Sequence, residues 1–143
     1  MSVLTDILLA PVSEAPRVLS DWPRDKRWPA VATPGLDTLV LEDLAVAMGR
    51  EQLAQAIQEL DPSCFDDEAQ GPWIYVLPVA LREALATLAP QEVGKLAKAW
   101  SAGEEAGARG LTPLVAEGLL HALQALAVRA RGEGLPMLLW MSL

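Results

Sequence analysis

Apolar residues recur at i, i+3, i+4 and i+7 in four successive segments of the chain. These are Leu41, Leu44, Ala45, Met48; Leu53, Ala56, Ile57, Leu60; Leu81, Ala84, Leu85, Leu88; and Val93, Leu96, Ala97, Trp100. A helix of about 3.6 residues per turn lays such positions along one face, so each segment predicts an amphipathic helix. Burying one Leu or Ile fully contributes roughly 1.5–3 kcal/mol, so each stripe helps order its own segment once a partner surface covers it.

The ends of these helices have chemical causes. Asp37 can cap a helix that starts near Thr38, and Gly49 can end it by turning left-handed, with Arg50 opening the next helix at once. So short a connection makes the two helices neighbours. Pro78 and Pro90 each suit a first helical turn, where a missing amide hydrogen forfeits no bond. Thr112 followed by Pro113 is a cap residue and then a first-turn proline, and it opens the longest helix, over Pro113 to Gly132. Its predicted apolar face holds Val115, Leu119, Leu120, Leu123, Leu126 and Ala130, with Glu117, Gln124 and Arg131 opposite. Arg129 and Arg131 suit the negative end of its dipole, and Gly132 and Gly134 provide the stop.

Other runs follow a different rule. Trp73 to Leu77 is aromatic and β-branched, bounded by Gly71-Pro72 and Pro78, and reads as a strand. Pro136 to Leu143 is apolar to its last residue, as a strand covered on both faces is, which places it in or beside the core. Leu4 to Ala10 is a third candidate, followed by a helical turn around Ser13 to Ser20. The proline-rich Ser20 to Gly35 and the acidic Asp61 to Pro72 read as loops. The expected fold is therefore α+β: a single, mostly helical domain over residues 1–143, with five or six helices packed on a small sheet of up to three short strands.

Composition fits one core, since 143 residues, 52% of them hydrophobic, are enough to bury on the order of 70% of the unfolded surface. No apolar run approaches the ~18 residues of a membrane span. Asp6, with no Lys or Arg before the first apolar stretch, is unlike a secretory signal, and the lone Cys64 cannot form a disulfide within the chain. Both features predict a cytoplasmic protein. A net charge of −8 argues against nucleic acid and anionic lipid as partners, and a protein partner of neutral or basic surface is expected.

The chemistry of single residues narrows the function further. His121 is the only histidine, so a His-rich zinc site is excluded within one chain, and its helical angle puts it on the polar side one turn after Glu117. Nothing near Cys64 prepares a thiolate, and the acids around it oppose one. The segment Asp61 to Glu68 collects four carboxylates, but with Asp66 sixth and Pro72 twelfth it departs from the calcium-loop spacing, which needs glycine and glutamate there. Glu104 and Glu105 are adjacent on a helix flanked by Gly103 and Gly107, and so do not face each other. The sequence contains no glycine-rich phosphate loop, Gly-x-Ser-x-Gly elbow or His-Glu-x-x-His. No catalytic residue, metal ligand or cofactor is assigned.

The most unusual stretch is Asp21-Trp-Pro-Arg-Asp-Lys-Arg-Trp-Pro29, where two Trp-Pro pairs bracket a charged centre. Indoles beside arginines make recognition surfaces, and they also plug the edge of a core while proline stiffens the loop. Trp22, Arg24, Arg27 and Trp28 are the candidate binding residues, with His121 as further lining of any pocket that the fold assembles.

The order of Gly35-Leu-Asp-Thr-Leu39 opening a helix that closes at Met48-Gly49, the Leu77-Pro78 strand-to-helix junction, and a long helix leading into Leu138-Leu-Trp-Met-Ser-Leu143 resembles the YfbM-like group of small uncharacterised bacterial proteins. That resemblance covers about three quarters of the chain in layout. It implies a compact α+β domain with a few strands and carries over no functional residue. The expected function is a non-catalytic binding or interaction protein, immunity-like or an adaptor, in a bacterial cytoplasm. The alternative is a small-ligand binder or an enzyme whose pocket exists only in the fold.

Overall fold

The computed structural model describes residues 3–143, and the local start signals act where the sequence places them. Asp37 Oδ1 accepts the backbone N–H groups of Leu39 (3.0 Å) and Val40 (3.1 Å), so α2 begins at Thr38 and runs to Ala47. Gly49, at φ +73°, turns the chain directly into α3 (Glu51–Gln58). Thr112 Oγ1 accepts from the Val115 amide (3.3 Å) ahead of α7 (Pro113–Glu133), which passes through Gly132 and stops at Gly134.

The remaining helices are α1 (Ala15–Asp21), α4 (Val79–Ala86), α5 (Val93–Ser101) and α6 (Glu104–Ala108). Pro90 opens a 3-10 turn that leads into α5, and Pro78 is the N-cap of α4. Among the described residues the seven α-helices exceed the five or six expected, and α6 is a short one between Gly103 and Gly110. Its N-terminus is held from outside, where Asp43 Oδ2 on α2 accepts the amides of Glu105 and Ala106, each at 2.9 Å.

The sheet corrects the expectation of up to three strands. Among the described residues five strands, β1 (Leu4–Leu9), β2 (Ala30–Ala32), β3 (Cys64–Phe65), β4 (Trp73–Val76) and β5 (Met137–Ser142), form one antiparallel sheet in the order β2-β1-β5-β4-β3. The two unforeseen strands are its short edges. β2 lies inside the proline-rich stretch and β3 inside the acidic one, and runs of three and two residues are too short to show an alternating pattern. β5 is central, hydrogen-bonded to β1 on one side and β4 on the other, as its unbroken apolar character predicts.

Side chains alternate across β5 and divide the core in two. Met137 and Leu139 join Ile7 and Leu9 against the helical layer of α2, α4, α5 and α7. Leu138 and Trp140 point the other way, with Leu8 and Ile74, and are covered by α1 and the loop that follows it. The four helical stripes face the first cluster with one local shift, Ala54 being buried instead of Ala56, and on α7 Ala116 is buried instead of Val115. Among the described residues no helix is long and apolar enough to cross a membrane.

Candidate functional site

The Trp-Pro stretch sits on the second face of the sheet. Ala15 and Val18 turn α1 onto that face, and Trp22, where the helix ends, follows them to 7% exposure; Trp28 reaches 6%. Each indole N–H finds a carboxylate: Trp22 Nε1 donates to Asp6 Oδ2 at 2.8 Å, and Trp28 Nε1 to Glu14 Oε1 at 3.4 Å. The indoles are therefore plugs of this smaller core, and what the stretch offers to solvent is its charge.

Three cations border the indoles in different ways. Lys26 Nζ lies 4.8 Å from the Trp22 ring centroid, and the Arg27 guanidinium lies 4.7 Å from that of Trp28. Arg27 also pairs with Asp21 (3.0 Å) and Asp25 (2.5 Å). Its hydrogen bond holds the Asp25 carboxyl below the usual carboxylate range, and the same bond raises Arg27 above its ordinary value. Arg24 is different. It donates to the Ser20 carbonyl at 2.5 Å, and among the described residues it neither stacks on an indole nor pairs with a carboxylate.

Arg24 borders an open cleft of about 490 Å³ between α1 and the ends of β4 and β5, lined also by Leu19, Trp22, Asp66, Trp140 and Ser142. Trp140 forms part of its wall at 6% exposure, and its Nε1–H is buried without a hydrogen-bond partner. A buried donor left unpaired costs on the order of 1–3 kcal/mol, which makes it the one strained polar group among the described side chains. The neighbouring acceptor is already engaged. Asp6 lies directly across from Trp140 on β1, and its carboxylate takes the N–H of Trp22 instead.

His121 does not join the other four candidates. It lies on α7, in the helical layer on the opposite face of the sheet, with its side chain 57% exposed and Nε2 4.0 Å from Glu117 Oε1. Trp140, Asp66 and Ser142 are the cleft residues that sequence reasoning missed. For Trp140 and Ser142 the signal is the parity of β5, which puts them on one face with Leu138, but only the strand order shows that α1 covers that face; Asp66, beyond the end of β3, has no such signal. Cys64 also moves from loop to sheet. It is half-buried on β3 against the same cluster, and burial pushes its thiol pKa up.

Among the described residues no group of three or more His, Cys, Asp and Glu side chains is placed to hold a metal ion. A second cleft, of about 540 Å³, opens between the ends of α2 and α4 and the side of α5, where Arg50 and Lys95 share the lining with Glu92. It contains no unpaired buried polar atom among the described residues, so the first cleft is the better candidate. No family model, curated protein or solved structure matches the chain.

Proposed function

We propose that the chain is a non-catalytic binding protein that captures a protein partner at the Arg24 edge of the cleft, in the manner of an immunity or adaptor protein of a bacterial cytoplasm. One observation carries the reading: Arg24 is a guanidinium left outside the ion pairs and indole stacks of its own loop, beside an open cleft. Arginine is enriched among residues that dominate interfaces. The YfbM-like resemblance stays with this reading as a proposed kinship and assigns no residue a role.

The two arginines separate binding from folding. Arg24→Ala is expected to weaken capture of a partner from host lysate by about 1 kcal/mol or more at an unchanged melting temperature. Arg27→Ala is expected to lower the melting temperature, because that side chain holds Asp21, Asp25 and Trp28 together. Capture indifferent to Arg24→Ala refutes the reading. A small molecule that raises the melting temperature in step with its concentration replaces it with the ligand-binding alternative.

A further inference from the structure

We infer that the segment taken up by the cleft is the carboxyl-terminal end of a peptide chain, an inference that rests on the binding reading above. The cleft wall carries the guanidinium of Arg24, one of whose N–H groups already serves Ser20, and the ring of Trp140, whose Nε1–H is buried without a partner. A terminal carboxylate brings two acceptor oxygens and a full negative charge, which satisfy a guanidinium in a charge-assisted, two-pronged geometry and leave a lone pair for an indole. The same wall carries an acceptor, because the Asp66 side chain forms no ion pair and accepts no hydrogen bond among the described residues. A peptide presents backbone N–H groups to such an acceptor as well as its terminal carboxylate to Arg24. Leu19, Trp22 and Pro72 give the apolar surface that a terminal side chain needs. Docking brings acceptors to a wall in which the Trp140 indole N–H has no protein partner. Side chains of the wall, Arg24 among them, shift to admit the carboxylate to that N–H.

The indole N–H resonances of the intact protein test this directly, with Trp140→Phe assigning the Trp140 signal. The probes are acetyl-Ala-Ala-Ala-Leu as the free acid, the same peptide as its carboxamide, and acetyl-leucine. The free acid is expected to move the Trp140 indole proton downfield with saturation, the carboxamide to bind about tenfold more weakly, and Arg24→Gln to remove that preference. An unmoved Trp140 signal up to roughly 10 mM peptide overturns the inference, as does equal binding of acid and carboxamide. Acetyl-leucine binding as tightly as the tetrapeptide makes the ligand a small carboxylic acid and also overturns it. A Trp140 indole proton that exchanges with bulk water in the free protein as fast as an exposed one removes its basis. The binding reading fails separately: a captured partner that depends on Arg24 but still binds after losing its last residue refutes this inference alone.

Discussion

Trp100 and Trp140 are two buried tryptophans that differ in one atom's surroundings, and the same substitution at each isolates it. Trp100 on α5 is 0% exposed, and its Nε1 donates to the Val40 carbonyl at 2.9 Å; Trp140 is 6% exposed, and its Nε1 has no partner. Replacing either with Phe removes similar apolar volume, at a cost of about 1–2 kcal/mol for the lost packing and the gap left behind. At Trp100 the lost hydrogen bond adds about 1 kcal/mol, giving roughly 2–3 kcal/mol in all. At Trp140 the unpaired donor disappears along with the ring, which returns on the order of 1–3 kcal/mol, so Trp140→Phe should lie between about 1 kcal/mol less stable and about 2 kcal/mol more stable than the parent protein. Urea unfolding with an unchanged slope measures both, and the expected gap is about 2 kcal/mol, with Trp100→Phe the less stable. A loss at Trp140 as large as that at Trp100 refutes the reasoning, because it means the Trp140 N–H is hydrogen-bonded.

Removing residues 139–143 should abolish cooperative unfolding followed by circular dichroism, because it deletes most of the central strand and its pairing with both β1 and β4. The Cys64 thiol should react with iodoacetamide more slowly than a free thiol at pH 8, with the midpoint of its rate profile moved to higher pH. The sign for stability follows: a raised acid pKa favours the protonated fold, so this contribution is full below the unfolded-state value and fades as pH climbs through the folded-state one. Gly103→Ala should cost about 1–2 kcal/mol in thermal or urea unfolding, since the new Cβ would lie 2.5 Å from Asp43 Oδ2, the atom that holds the α6 amides.

What the sequence disclosed is what nearest neighbours along the chain control. Asp37 before Thr38, Gly49 between two stripes, and Thr112-Pro113 act through bonds of two to four residues' reach, so α2, α3 and α7 were legible with their ends. The exposure of His121 was legible for the same reason, being a matter of helical angle. β2 and β3 were hidden because their order comes from pairing with β1 and β4, far away in sequence, and so few residues show no period. The Trp-Pro stretch was half legible: its residues were singled out, but whether the indoles faced solvent depended on Asp6, Glu14 and the far face of β5. Asp43, which holds α6 from more than sixty residues away, left no local sign at all.

The division of the core bears on how the wall of the Arg24 cleft can move. Among the described residues the helical side of the sheet is backed by twenty-six buried apolar residues, and the other side by nine, contributed by β-strands, the seven-residue α1 and the loop after it. Free energy of local opening rises with the apolar surface that must be uncovered, so the layer of α1 and the Trp-Pro loop opens well before the helical layer does. A wall that is to admit a ligand to a buried donor such as the Trp140 N–H belongs on the layer that moves most cheaply. The Trp22–Asp6 bond and the Arg27 cluster limit that motion. Loosening the loop with Arg27→Ala should then speed hydrogen exchange in α1 while leaving α7 protected. Equal acceleration in both helices would show that the two layers open together and that the cleft has no mobile wall.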